Sequence, residues 1–102
     1  MGLKSKYIAG FGKKYIIYSN GKIYNTLKHK YIKQSMDSEG FLQVALYYKE
    51  KWYRKYLHRL IAEYFIYNKK LPNYCIVNHI DNNKLNNNLS NLFFGCYIGN
   101  MM

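Results

Sequence analysis

Val77-Asn78-His79-Ile80-Asp81-Asn82-Asn83-Lys84-Leu85-Asn86-Asn87-Asn88-Leu89-Ser90-Asn91-Leu92 is the stretch on which the reading of this chain turns. An apolar run, Tyr74-Cys75-Ile76-Val77, leads into it, and a second, Leu92-Phe93-Phe94, leads out. Both are short, apolar and bounded by turn formers, so they predict two strands joined by an Asn-rich loop from Asn78 to Asn91. Biased composition alone can crowd Asn into a loop, and a lone His is more often structural than catalytic. The spacing argues for more than that. A polar residue and a His end one strand, Asn91 stands just before the next, and Asn100 follows nine positions later.

Upstream, Leu60, Ile61, Tyr64 and Phe65 recur at the spacing of one helical face, with Arg59 and Glu63 on more polar sides. They predict a helix from near His58 to near Tyr67, ended by Asn68-Lys69-Lys70-Leu71-Pro72 and its single proline. Earlier still, the runs between turns are rich in Tyr, Ile and Val, as strands require. Tyr15-Ile16-Ile17-Tyr18 and Lys22-Ile23-Tyr24 flank Ser19-Asn20-Gly21, where Asn-Gly offers the positive φ angles of a tight hairpin. Phe41 to Tyr47 and Trp52 to Leu57 make a second pair around the polar turn Lys49-Glu50-Lys51, and Lys28 to Gln34 adds a strand before the turn from Asp37 to Gly40. The expected fold class is α+β, with a small, mostly antiparallel sheet ahead of a helix and a closing two-stranded unit.

With 102 residues, the prior is a single domain whose binding and reacting groups share one fold. Sixteen Lys and Arg against five Asp and Glu give a net charge of +11, which points to an anionic partner, nucleic acid ahead of a membrane surface. The abundance of Lys, Asn, Ile and Tyr together is also what an A- and T-rich genome produces, but that bias does not remove acids so thoroughly. No stretch reaches the roughly eighteen apolar residues of a membrane span, and the N-terminus lacks a signal-peptide core, so a soluble, intracellular, cytoplasmic protein is expected. Cys75 and Cys96 stand far apart in apolar surroundings and read as buried free thiols rather than zinc ligands.

Asn78-His79-Ile80-Asp81-Asn82-Asn83-Lys84-Leu85-Asn86-Asn87, then Asn91-Leu92, then Gly99-Asn100, resembles the motif of the HNH endonucleases of phages and introns. His58-Arg59-Leu60-Ile61-Ala62-Glu63-Tyr64-Phe65 is similar to the segment preceding that motif. Tyr18-Ser19-Asn20-Gly21-Lys22-Ile23 and Gly40-Phe41-Leu42-Gln43-Val44 resemble the NUMOD-type region in front of it. The resemblance thus covers nearly the whole chain. It departs at Asn78, where many members carry Asp, at Asn82 for the loop glycine, at Phe94 for Trp and at Gly99 for Glu.

The resemblance implies a ββα-metal unit within residues 58–102, behind a β-rich DNA-binding part in residues 1–57. It implies metal-dependent hydrolysis of double-stranded DNA, by nicking or cleavage, as in homing endonucleases. Such chemistry needs a nucleophilic water, relief of phosphoryl charge and help for the leaving oxygen. A neutral imidazole can take the water's proton, the role implied for His79. Asn78 and Asn100 would hold a magnesium or manganese ion through oxygen, and Asn91 would tie the loop and orient His79. Asp81 reads as a turn-forming residue.

For contacts with DNA, Lys49, Lys51, Arg54 and Lys55 around the second hairpin are the leading candidates, joined by Lys84 in the loop. Arg59 could reach phosphate, and His58 either joins it or serves structurally at the helix start. Two alternatives stay beside the nuclease: a catalytically impaired relative kept as a DNA-binding module, and an RNA- or ribosome-associated basic protein.

Overall fold

A computed structural model describes residues 2–96; the expectations for Gly99 and Asn100 lie outside them. Among the described residues the N-terminal part forms two sheets where one was expected. The first is four-stranded, in the order β1 (Ser5–Tyr7), β2 (Tyr15–Tyr18), β3 (Ile23–Asn25) and β4 (Lys30–Tyr31). The second holds β5 (Ser35–Met36), β6 (Leu42–Tyr48) and β7 (Lys51–Tyr56). All pairings are antiparallel. Of the run read as a strand from Lys28 to Gln34, only Lys30–Tyr31 is strand; its start turns through His29 at φ 54°, and its end leads on to β5 in the other sheet.

Alternation explains β2, where Tyr15 and Ile17 are buried while Ile16 and Tyr18 are half-buried. Its turn to β3 is a three-residue loop in which Gly21 alone takes the left-handed conformation, at φ +93°, donating its N–H to the Tyr18 carbonyl at 3.0 Å. The β6–β7 turn is tighter. Tyr48 faces Lys51, so Lys49 and Glu50 form a two-residue loop, and both take positive φ, 52° and 62°.

The chain then enters α1 (Leu57–Ala62), which continues as a π-helical turn over Glu63–Tyr67 and stops at Asn68 in the left-handed conformation. The expected helix is thus present, with its second half wound more loosely. The closing pair is β8 (Cys75–His79) and β9 (Leu92–Cys96), antiparallel, with a 3-10 turn at Leu89–Asn91 leading into β9. Cys75 is disulfide-bonded, correcting the free-thiol expectation, and the register sets it opposite Cys96. Apolar surroundings had suggested a buried free thiol at Cys75, but they suit a buried disulfide sulfur equally well.

One core joins these parts. Ile8, Ile17 and Ile23 from the first sheet, Val44 and Leu46 from the second, Leu57 and Ile61 from α1, and Val77 and Leu92 from the closing pair pack in a single cluster. Burying each such side chain contributes roughly 1.5–3 kcal/mol. The Asn-rich loop is therefore carried on a pair of strands anchored at both ends, through Val77 and Leu92.

Candidate active site

β8 alternates, with Cys75, Val77 and His79 buried and Ile76 and Asn78 exposed. That alternation puts His79 at the inner face of the strand end, 8 % exposed. Its Nε2 lies 2.8 Å from the Asn87 side-chain oxygen. The ring tilts against His58, with centroids 5.4 Å apart, and faces Phe41 at 6.2 Å. A cavity of about 290 Å³ opens here, lined by His79 and Asn78 together with Phe41, Asn82, Lys84 and Phe93.

The loop is held by Asp81 and Asn91. Asn91 is buried; its amide nitrogen donates to the Asp81 carboxylate at 2.9 Å and to the Asn86 carbonyl at 2.9 Å, and its oxygen accepts from the Asp81 N–H at 3.2 Å. Asp81 also accepts from the Asn83 N–H at 2.8 Å and the Asn86 amide at 3.0 Å. The bond from Asn86, followed by those from Asn83 and Asn91, holds its carboxyl below the usual carboxylate range. Asn82 takes φ 62°, a conformation that explains why an Asn can stand where the resembled motif has glycine.

His58 stacks on Phe41 at 4.8 Å and is 8 % exposed. Burial first, then the neighbouring charges of His79 and Arg59, with Asp37 opposing, push its imidazole down to about 4. Arg59 spends its guanidinium on the carbonyls of Cys75 and Pro72, at 2.6 and 2.8 Å, which ties α1 to the start of β8. Lys84 donates to the Glu39 carbonyl at 2.7 Å, with its ammonium 4.5 Å above the Phe41 ring, so its charge stands at the cavity.

Of the residues singled out in the sequence, His79, Asn78 and Lys84 thus share the cavity, and His58 lies directly behind His79. Lys49, Lys51, Arg54 and Lys55 belong to the β6–β7 hairpin, outside that cavity. Every residue of β7 is exposed, and strand alternation places Lys51 and Lys55 on one face and Arg54 on the other. Sequence reasoning assigned no task to Asn87 or Phe41. Asn87 sat within the quoted motif, but nothing local separates it from Asn86 and Asn88. Among the described residues no group of three or more His, Cys, Asp or Glu could hold a metal ion. No helix among them is long and apolar enough to cross a membrane.

Comparison with known proteins bears on the family and the fold. A sequence model of the HNH endonuclease family matches residues 55–95. An uncharacterized HNH endonuclease of Acanthamoeba polyphaga mimivirus is 40% identical over 78 residues, 76% of this chain and 23% of that protein. The H-N-H endonuclease F-TflII of Escherichia phage T5 is 36% identical over 78 residues, 76% of this chain and 40% of that protein. The chain therefore spans well under half the length of these curated relatives. Among solved structures, the HNH homing endonuclease I-HmuI, described in its DNA binding and cleavage, is similar with a TM-score of 0.80 at 27% identity, over 94% of this chain and 53% of that one.

Proposed function

The chain belongs to the HNH endonuclease family, and from that premise we propose that it hydrolyses phosphodiester bonds of double-stranded DNA, with His79 as the base that activates water. The observation that carries this reading is the placement of His79, pinned at Nε2 and lining a cavity beside the ammonium of Lys84. A phosphate entering there meets a positive charge, and a water beside it meets an imidazole able to take its proton.

Asn78 lines the same cavity and offers a neutral oxygen donor, suited to a hard divalent cation such as magnesium or manganese. Such an ion supplies charge relief at the phosphoryl and leaving oxygens. Asn100 is the proposed second ligand. Asp81, with its carboxylate committed to Asn83, Asn86 and Asn91, keeps the loop closed instead. Asn91 supports the site by tying that loop.

Residues 1–57 are proposed as the β-rich DNA-binding part of one domain, and residues 58–102 as the helix with the HNH unit. Lys49, Lys51, Arg54 and Lys55 contact the DNA backbone, each phosphate contact adding roughly −0.9 to the slope of log K against log salt. The protein acts inside a cell, where its substrate is.

The test is incubation of supercoiled plasmid with magnesium or manganese, beside a chelator control and His79→Ala. Metal-dependent nicking that the variant loses is the expected result, and undiminished nicking by the variant overturns the role of His79. A second reading, a DNA-binding module with impaired catalysis, is favoured by neutral Asn78, which brings no carboxylate charge to the cavity beside His79. DNA retardation without cleavage in any metal would select it.

A further inference from the structure

We infer that Asn87 is the positioning residue that fixes the tautomer of His79, and that the β2–β3 turn of the N-terminal sheet holds Asn87 there. This rests on the reading of His79 as the base and names the nitrogen that acts. Asn87 is 4 % exposed, and its amide is oriented by two contacts at once. Its Nδ2 donates to the Lys84 carbonyl at 3.4 Å, and its Oδ1 lies 2.8 Å from His79 Nε2. Turning the amide over would press its oxygen against the Lys84 carbonyl, two acceptors with no proton between them. The oxygen therefore faces His79, and the imidazole must supply the proton from Nε2. A neutral ring protonated at Nε2 carries its lone pair on Nδ1. Nδ1 is then the atom that takes the proton of the attacking water.

Asn91, the residue the motif resemblance offers for orienting His79, has its amide spent on Asp81 and Asn86. The orienting contact belongs to Asn87.

What holds Asn87 lies far away in sequence. Gly21 packs so closely that a Cβ there would stand 3.1 Å from the Asn87 carbonyl oxygen and 3.3 Å from its carbon, and at φ +93° a side chain is also strained. Leu89 donates its N–H to the Ser19 carbonyl at 2.7 Å. The turn is fixed in its own right. Ser19 Oγ accepts from the Lys4 N–H at 2.9 Å, and Gln34 donates to the Gly21 carbonyl at 2.9 Å. The hairpin turn thus bears on the backbone of Asn87 directly and on the chain two residues later.

The experiment is nitrogen-15 histidine spectroscopy of the full chain near pH 8, without metal or DNA, paired with nicking kinetics. His79 is expected to show one neutral tautomer, protonated at Nε2, with that proton protected from exchange. Asn87→Asp keeps an acceptor and should keep the protected signal. Asn87→Leu should lose the protection, populate both tautomers, and lower kcat about tenfold or more with KM for DNA unchanged. Gly21→Ala should disturb the same signal while the backbone spectrum away from both loops stays native.

A wild-type His79 protonated at Nδ1, or an Asn87→Leu protein with unchanged signal and kcat, overturns the proposal. Should Asn87→Leu fail to fold, Asn87→Asp and Gly21→Ala decide it, since an unprotected Nε2 proton in the first or an undisturbed one in the second contradicts it. If the tautomer behaves as stated while His79→Ala nicks like wild type, the positioning stands and the base assignment falls.

Discussion

Asp81 and Asn91, ten residues apart, each donate to the other: the Asp81 N–H to the Asn91 side-chain oxygen, and the Asn91 amide to the Asp81 carboxylate. The Asn91 carbonyl also accepts from the Ile80 N–H at 2.8 Å, so both ends of the loop are closed at one point. Asn91→Ala leaves the Asn86 carbonyl, the Asp81 carboxylate and the Asp81 N–H without this partner. It should cost about 3 kcal/mol, at roughly 1 kcal/mol net per lost bond. Asn91→Asp sets two carboxylates together and should lower Tm at neutral pH, with recovery on adding Asp81→Asn. Thermal melts of the four proteins check this, and additive effects would contradict the pairing.

Restoring a carboxylate at the cavity should strengthen ion binding. Asn78 is exposed, so Asn78→Asp fits without repacking. The charge favours a divalent cation, and the metal concentration giving half-maximal nicking should fall about tenfold or more. Plasmid relaxation across a manganese titration measures it, and no shift would remove Asn78 from the ligand set.

His58 makes the fold sensitive to acid. Its folded pKa, about 4, lies below the unfolded value of 6.5, so between those limits the unfolded chain binds the extra proton. The neutral buried form therefore contributes stability that is fully present above pH 6.5 and lost as pH falls toward 4. The loss amounts to roughly 2–3 kcal/mol. His58→Leu, close in volume, should flatten that part of the stability curve. Urea unfolding at pH 7 and 4.5 tests it, and an equal drop in both proteins would place the sensitivity elsewhere.

Lys49 and Glu50 occupy the left-handed region where L side chains are crowded. Glu50→Gly relieves that crowding and should stabilise by about 1 kcal/mol, raising Tm by roughly 4–8 °C. It also removes an acid from the tip of the proposed DNA-binding hairpin, so DNA retardation should tighten. Glu50→Gln separates the two effects, improving binding while leaving Tm near wild type.

Local signals carried most of the architecture. The two N-terminal hairpins, the helix and the closing strands follow from turn residues and apolar periodicity, which act over a few residues. The partition into two sheets was not readable, because β4 and β5 diverge through packing that the run from Lys28 to Gln34 does not encode. β1 had no signal either, since all three of its residues are exposed. At the site, the position of His79 at the end of a strand was legible through its motif. The burial of His58 was not, since a His beside an Arg at a helix start looks equally suited to solvent. Asn87 was hidden among neighbours of the same type, and only the folded loop selects which amide meets the imidazole.

The contact between the Ser19–Gly21 turn and the loop has a consequence for how such segments can be exchanged between proteins. The portion that the family sequence model recognises, residues 55–95, contains the imidazole, its amide partner and the loop lock, yet not the surface on which the loop rests. Grafted onto another scaffold as a cassette, it would bring its chemistry and leave its alignment behind. Recombination that respects this chain's function has to carry the turn and the motif together, although nearly sixty residues separate them.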